Sequence, residues 1–212
     1  MKHSHKVAII GGTGKVGRRI AAEALQKGYQ VRMLVRNPEK LGQLDNKVEV
    51  VKGSIQDIEA IRILLKGCGI VINTFGQPNK EKPIYSESTK NILDIMEEMG
   101  ISRYIGVTGG SLTIEGDKKS LWNRIGAKIF DIFFSNMMED KKREWAVLNS
   151  HEHIKWTLIR LPFILDEVKT SHIKENLKDM PGTKITNQDI AAFIIDQIND
   201  LKYVKKAPFI SH

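Results

Sequence analysis

The sequence predicts a single α/β domain, a doubly wound, largely parallel sheet with helices on both faces, and three observations lead there. Short runs rich in Val and Ile, with little polar alternation, take turns with amphipathic helical stretches, which is how strands covered on both faces read. Gly28, Gly67 and Gly100 each stand just past a helical stretch, where a residue free to adopt positive φ ends a helix cheaply. No internal repeat, low-complexity tract or Pro/Ser-rich linker divides the chain, so residues 1–212 are expected to form one domain.

Taken in order, the first strand is expected over 6–10, where Val7-Ala8-Ile9-Ile10 is cut short by Gly11-Gly12, and a helix follows over 16–27. Further strands are expected over 30–35, 48–52, 69–74, 103–108 and 157–161, with helices over 58–66, 87–99 and 141–149. The irregular stretch is 120–138. There Leu121, Trp122, Ile125, Ile129, Phe130, Ile132, Phe133, Phe134, Met137 and Met138 crowd together. A helix so apolar over most of its circumference is expected to be buried, over a ligand cleft or against a second copy in a homodimer.

Composition narrows the class. Hydrophobic residues make up 41% and charged residues 27%, a soluble globular balance, and 33 Lys+Arg against 25 Asp+Glu give a net charge of +8. That charge favours anionic ligands. The basic residues are spread along the chain without a nucleic-acid motif, so no nucleic acid is expected. No run approaches the ~18 apolar residues of a membrane span or forms a secretory leader, so a cytoplasmic protein with no membrane partner is expected. Cys68 is the one cysteine, read as a buried small hydrophobe. His151 and His153 lack a third ligand, so no metal site is expected.

The strongest local signal is the run from Val7 to Gly17, a buried strand, a loop with Gly11, Gly14 and Gly17, then a helix at once. Glycines allow the tight turn and let backbone N–H groups approach a pyrophosphate, while the helix N-terminus adds unpaired donors and the positive end of its dipole. Gly11, Thr13, Gly14, Lys15, Val16 and Gly17 are therefore cofactor-binding candidates. The second strand ends in Arg36, about 20 residues past the last glycine, where an acid would bind the ribose 2′-hydroxyl of NAD. An arginine fits a 2′-phosphate instead, with Lys40 adding charge, so NADP(H) is preferred over NAD(H). The loops after the third and fourth strands, with Ser54, Ile55, Asn73, Thr74, Phe75 and Gly76, should flank adenine and ribose, since ligands of such sheets lie outside the carboxyl ends of the strands.

By the same rule the fifth strand brings Thr108, Gly109, Gly110 and Ser111 to the reactive end, and the sixth brings Pro162, Phe163 and Ile164. Two hydroxyls can bond a carboxamide or a substrate, which makes Thr108 and Ser111 catalytic candidates. Lys141, with Lys142 and Arg143 beside it, could approach a ribose or an anionic substrate and is the third catalytic candidate. A Tyr-x-x-x-Lys pair, in which lysine lowers a tyrosine pKa for proton exchange, is absent: Tyr29, Tyr85, Tyr104 and Tyr203 are followed four residues on by Met33, Thr89, Thr108 and Ala207.

The motifs at 9–17 (Ile-Ile-Gly-Gly-Thr-Gly-Lys-Val-Gly), 35–38 (Val-Arg-Asn-Pro), 108–112 (Thr-Gly-Gly-Ser-Leu), 156–162 (Trp-Thr-Leu-Ile-Arg-Leu-Pro) and 185–191 (Ile-Thr-Asn-Gln-Asp-Ile-Ala) form a set. The set resembles the atypical short-chain dehydrogenase/reductases that include NAD(P)H-dependent flavin reductase/biliverdin reductase B and bacterial NADH-flavin reductases. That resemblance implies a Rossmann-type domain, bound NADP(H), and a loosely selective cleft for flavins or other planar conjugated molecules. Hydride chemistry of this kind can take its proton from solvent, so positioning supplies most of the catalysis. The chain departs from the biliverdin-reducing members at Gly109, where serine is usual, and in its apolar 120–138 stretch. Two other functions are weighed: a non-catalytic NADP(H) sensor resembling the NmrA-like regulators, and a sugar-nucleotide epimerase, disfavoured by the missing tyrosine pair.

Overall fold

The structure, a computed structural model, describes residues 6–77, 81–168 and 170–212. Strands β1 (Lys6–Ile10), β2 (Gln30–Val35), β3 (Glu49–Lys52), β4 (Ile70–Asn73), β5 (Arg103–Gly109) and β6 (Lys155–Leu161) run parallel in the spatial order β3-β2-β1-β4-β5-β6. This is the doubly wound Rossmann-type order, with the chain reversing its direction of travel between β1 and β4. Past β6 the sheet is extended by β10 (Phe209–Ser211), parallel to it, and then by β8 (Lys174–Asn176), antiparallel. A separate parallel pair, β7 (Phe163–Leu165) with β9 (Lys184–Thr186), stands beyond the end of β6.

The strand periodicity of two divides the core. In β1, Val7 and Ile9 point to one face and Ala8 and Ile10 to the other, and all four are buried. The first face is covered by α1 (Lys15–Gln26) and α6 (Asn187–Asp196), which meet through Ile20, Ala21, Ala24, Ile190, Ala191 and Ile194. The second is covered by α2 (Ile58–Leu65), α3 (Tyr85–Glu98) and α5 (Ser135–Ser150), which present Ile61, Leu64, Ile92, Met96 and Leu148. Burying each such aliphatic side chain contributes roughly 1.5–3 kcal/mol. Cys68 belongs to this second layer; its thiol donates to the Leu64 carbonyl at 3.3 Å, and burial pushes it up to about 11.

The stretch 120–138 differs from expectation. It is two helices, α4 (Leu121–Phe133) and the start of α5, broken at Phe134, and no residue of α4 is buried. The reason is position: α4 leans on the start of α5 and on loops, away from the sheet, so only part of its circumference meets protein. The helix expected over 141–149 begins earlier, at Ser135. Strands β7 to β10 were not anticipated, because runs of three residues are too short to show a period, and α6 enters the sequence reading only as part of the 185–191 motif. Helix α6 is set by Thr186, whose hydroxyl accepts from the Asp189 N–H at 3.1 Å. No helix among the described residues is long and apolar enough to cross a membrane.

Candidate functional site

The glycine loop joins β1 to α1, and Gly11, Gly14 and Gly17 do different work there. Gly11 has φ 77°, and a Cβ there would stand 2.6 Å from the Thr74 carbonyl oxygen. That closeness follows from lacing of the strand ends: the Thr74 N–H and hydroxyl both donate to the Ile10 carbonyl, at 2.9 and 3.0 Å. At Gly17 a Cβ would lie 2.3 Å from the Gly11 oxygen and 2.7 Å from the Gly12 Cα, so this glycine lets helix and loop pack. Gly14 is the helix N-cap; a Cβ there meets only the Gly11 oxygen, at 3.2 Å. It offers no side-chain cap, and the first turn of α1 contains no acid. The N–H groups of that turn thus stay available to an anion.

These groups open onto a cavity of about 480 Å³ outside the carboxyl ends of β1 to β4. The cavity is lined by Gly11, Thr13, Gly14, Lys15, Val16 and Gly17, by Arg36 and Lys40 after β2, by Ser54 and Ile55 after β3, and by Thr74, Phe75 and Gly76 after β4. Ile164 and Asp166 close it from the β7 side. Arg36 and Lys40 are exposed, and neither side chain has a hydrogen-bond or ion-pair partner among the described residues. Asn73 lies beneath the cavity instead of lining it. Its amide donates to the Tyr104 hydroxyl and accepts from the Phe75 N–H, both at 3.0 Å, which sets the course of the β4 exit.

Two residues that sequence reasoning missed shape this cavity. Arg18 donates to the carbonyls of Thr13 (3.0 Å) and Lys40 (2.6 Å), tying the glycine loop to the segment that carries Lys40. Asp166 pairs with Lys15 at 3.3 Å across the cavity mouth and accepts from Asn187 at 2.6 Å. The Asn187 hydrogen bond, then Lys15, hold this carboxyl below the usual carboxylate range. Neither contact leaves a local sequence signal, since each joins loops far apart in the chain.

At the ends of β5 and β6 lies a second cavity, of about 420 Å³, with Gly109, Gly110, Ser111, Pro162 and Phe163 in its wall beside Trp122, Phe130 and Met180. Thr108 lines neither cavity; it is buried within β5. Ser111 faces Met138, its Oγ 3.7 Å from the sulfur. Lys119 is the unanticipated member of this wall. Its ammonium donates to the carbonyls of Gly110 (3.0 Å), Ser111 (3.2 Å) and Leu112 (3.0 Å) and so clasps the loop after β5, while burial lowers it to about 8.

A third cavity, of about 460 Å³, adjoins the first through Gln77 and Glu81 and is walled by Tyr85, Phe133, Phe134 and Met137. Lys141 reaches none of the three. It is buried between α5 and α3, paired with Glu144 at 2.9 Å, and its ammonium sits 3.5 Å from the Tyr85 ring centroid. The reading that it approaches a ribose is therefore corrected: Glu144 and the Tyr85 face hold the charge on the far side of the aromatic ring. Met137 stands four residues before Lys141, where a Tyr-x-x-x-Lys pair would put its tyrosine. Next to Lys141, Asp140 caps α3, accepting from the N–H groups of Tyr85 (2.7 Å) and Ser86 (3.2 Å) and from the Ser86 hydroxyl (2.5 Å). Burial pushes this carboxyl up, but those hydrogen bonds outweigh it and hold it below its usual range.

A family model described as NAD(P)H-binding matches residues 11–201, the span from the glycine loop through α6. The chain belongs to the NAD(P)H-binding family. It is 30% identical to the uncharacterised protein YwnB of Bacillus subtilis (strain 168) over 114 residues, 53% of this chain and 52% of that protein. The chain spans about half or less of the length of the first curated relatives it matches. Among solved structures, a short-chain dehydrogenase/reductase from Veillonella parvula in complex with NADP superposes with a TM-score of 0.81, at 14% identity over 98% of this chain and 94% of that one. The anaerobilin reductase ChuY of Escherichia coli O157:H7 gives 0.79, at 19% identity over 97% and 96%. Both likenesses are of fold.

For an NAD(P)H-binding chain the donor set of the first cavity fits its ligand. Unpaired helix N–H groups and Lys15 suit a pyrophosphate, and the glycine cradle around Gly14 is the space a Cβ would take.

Proposed function

We propose that this member of the NAD(P)H-binding family is a cytoplasmic NADPH-dependent reductase that passes hydride to a planar conjugated small molecule such as a flavin. One observation carries the reading: a phosphate cradle with unpaired Arg36 and Lys40 at one end adjoins, through Gln77 and Glu81, an aromatic-walled cavity at the other. Arg36 and Lys40 would take the 2′-phosphate, the α1 N-terminus the pyrophosphate, and Ser54 and Ile55 the adenosine side. Thr74, Phe75 and Gly76, set by Asn73, would support the nicotinamide half, and the bound dinucleotide would supply the hydride. Phe133 and Phe134, both in the wall of the aromatic cavity, would offer flat apolar surface to an acceptor and keep water from it. Ser111, of the predicted catalytic set, lies in the wall of the separate cavity at the ends of β5 and β6, and solvent would be the source of the proton.

A second reading, a non-catalytic NADP(H) sensor, is favoured by one finding: Thr108 is buried and Lys141 is paired with Glu144, which withdraws two of the three predicted catalytic side chains. Steady-state NADPH oxidation with FMN, riboflavin, biliverdin and quinones, run beside a nucleotide titration, separates the two. Acceptor-dependent turnover supports the reductase, whereas tight nucleotide binding without turnover on any acceptor supports the sensor.

A further inference from the structure

Helix α4 turns its most apolar side to water. At about 100° per residue, Leu121, Trp122, Ile125, Ile129, Ile132 and Phe133 fall within one arc of about 120°. All six are exposed, Trp122 at 80% and Phe133 at 77%. The opposite side of the helix, with Gly126, Ala127 and Phe130, faces the cavity at the ends of β5 and β6. An ordinary surface helix does the reverse and turns polar residues outward. Phe163, 82% exposed, extends the apolar surface from the far wall of that cavity, which it shares with Trp122. Single exposed apolar residues need no explanation, but a contiguous patch of this size marks an interaction surface.

We propose that this arc docks the protein onto an anionic lipid surface, α4 lying in the plane of the headgroups. Charge decides the occupant. The cations Arg124 and Lys128 fall together along one edge of the arc, where long basic side chains can keep their heads among lipid phosphates while their stems cover apolar surface. The acid of the helix, Asp131, is already paired with Lys142 at 3.1 Å, and the arc itself contains no charge. A second copy of this chain would bring another +8 and another cationic edge to the contact, and the arc presents no hydrogen-bonding side chain except the Trp122 indole to fix a register. A bilayer rich in anionic headgroups complements both features, the uncharged apolar arc and its cationic margin. The sequence expectation of no membrane partner rested on the lack of a spanning segment; docking on the surface needs none.

The test is binding of the full chain to phosphatidylglycerol/phosphatidylcholine vesicles and to pure phosphatidylcholine vesicles, followed by co-sedimentation and tryptophan emission. Of the three tryptophans Trp156 is buried, Trp145 is half-buried against it and Trp122 is exposed, so a blue shift that is lost in Trp122→Phe reports the arc. Binding to the anionic vesicles is expected, weakened about five-fold by each of Arg124→Ala and Lys128→Ala. Ile129→Glu with Ile132→Glu should reduce it at least tenfold while leaving NADPH affinity and thermal unfolding at parent values, because neither isoleucine lines a cavity. Three results would overturn the proposal. One is no binding to either vesicle; another is binding unaffected by the glutamate pair, which would make it a general effect of the +8 surface. The third is a lipid-free dimer in sedimentation velocity that the glutamate pair dissociates, which would assign the arc to a second copy.

Discussion

Gly17→Ala and Gly14→Ala should separate folding from cofactor binding within one loop. At Gly17 the new methyl would sit 2.3 Å from the Gly11 oxygen, against an ordinary contact of at least 3.4 Å, so the loop must retreat by 3.4 − 2.3 = 1.1 Å. The atom that must move is the one accepting the Gly14 N–H at 3.0 Å, so that bond goes with it. Overpacking of this kind costs about 1–3 kcal/mol and the lost hydrogen bond about 1, roughly 2–4 kcal/mol together. For a chain of this length that is a fall in Tm of roughly 4–16 °C. At Gly14 the only neighbour is that same oxygen at 3.2 Å, and φ is −72°, which alanine adopts freely. Gly14→Ala should cost about 1 kcal/mol or less in stability. Its methyl nevertheless stands where a pyrophosphate would meet the helix N-terminus, and NADPH affinity should fall at least tenfold, about 1.4 kcal/mol. Thermal unfolding and calorimetric NADPH titration of both variants check this. A Gly17→Ala protein with parent Tm, or a Gly14→Ala protein with parent NADPH affinity, would refute the division of labour.

Arg36→Ala should remove most of a preference for NADPH over NADH, about 1.5–3 kcal/mol for a charge-assisted contact to the 2′-phosphate, with NADH affinity unchanged; paired titrations with both nucleotides measure it. Phe133→Ala combined with Phe134→Ala should raise the KM for a flavin acceptor about tenfold and leave NADPH affinity within about two-fold, because both rings wall the cavity proposed for the acceptor and neither lines the phosphate cradle. Asp140, held below its usual range by the Tyr85 and Ser86 donors, stabilises the fold above the ordinary carboxylate pKa, and that stability is lost as the pH falls through its lowered native value. Asp140→Asn should therefore be less stable at neutral pH and show a shallower loss of Tm on acidification; parallel slopes for the two proteins would contradict the capping role.

What the sequence made legible was local. The loop from Gly11 to Gly17 announces itself because strand, turn and helix N-terminus are consecutive, and Arg36 could be placed because the second strand ends there. Contacts between distant loops could not be read: Lys15 with Asp166, Arg18 with the Lys40 carbonyl, and Lys119 with the loop after β5 each depend on where the chain returns. Lys141 was misread for the same reason, since its partner across α3 is the ring of Tyr85. Helix α4 shows the limit of periodicity. Its apolar residues were evident, but apolar side chains occur on both its inner and outer faces, and periodicity alone does not say which side meets water.

The central claim is that the phosphate cradle and the aromatic-walled cavity serve a single hydride transfer. A single-turnover experiment tests it directly: the NADPH complex is mixed with FMN, and nucleotide oxidation and flavin reduction are followed together. The account predicts that both occur at one rate, that the rate saturates with FMN, and that nicotinamide-C4-deuterated NADPH slows it. An NADPH complex that stays reduced at saturating FMN, and equally with riboflavin, biliverdin and quinones, would contradict it and leave the protein a binder of the nucleotide.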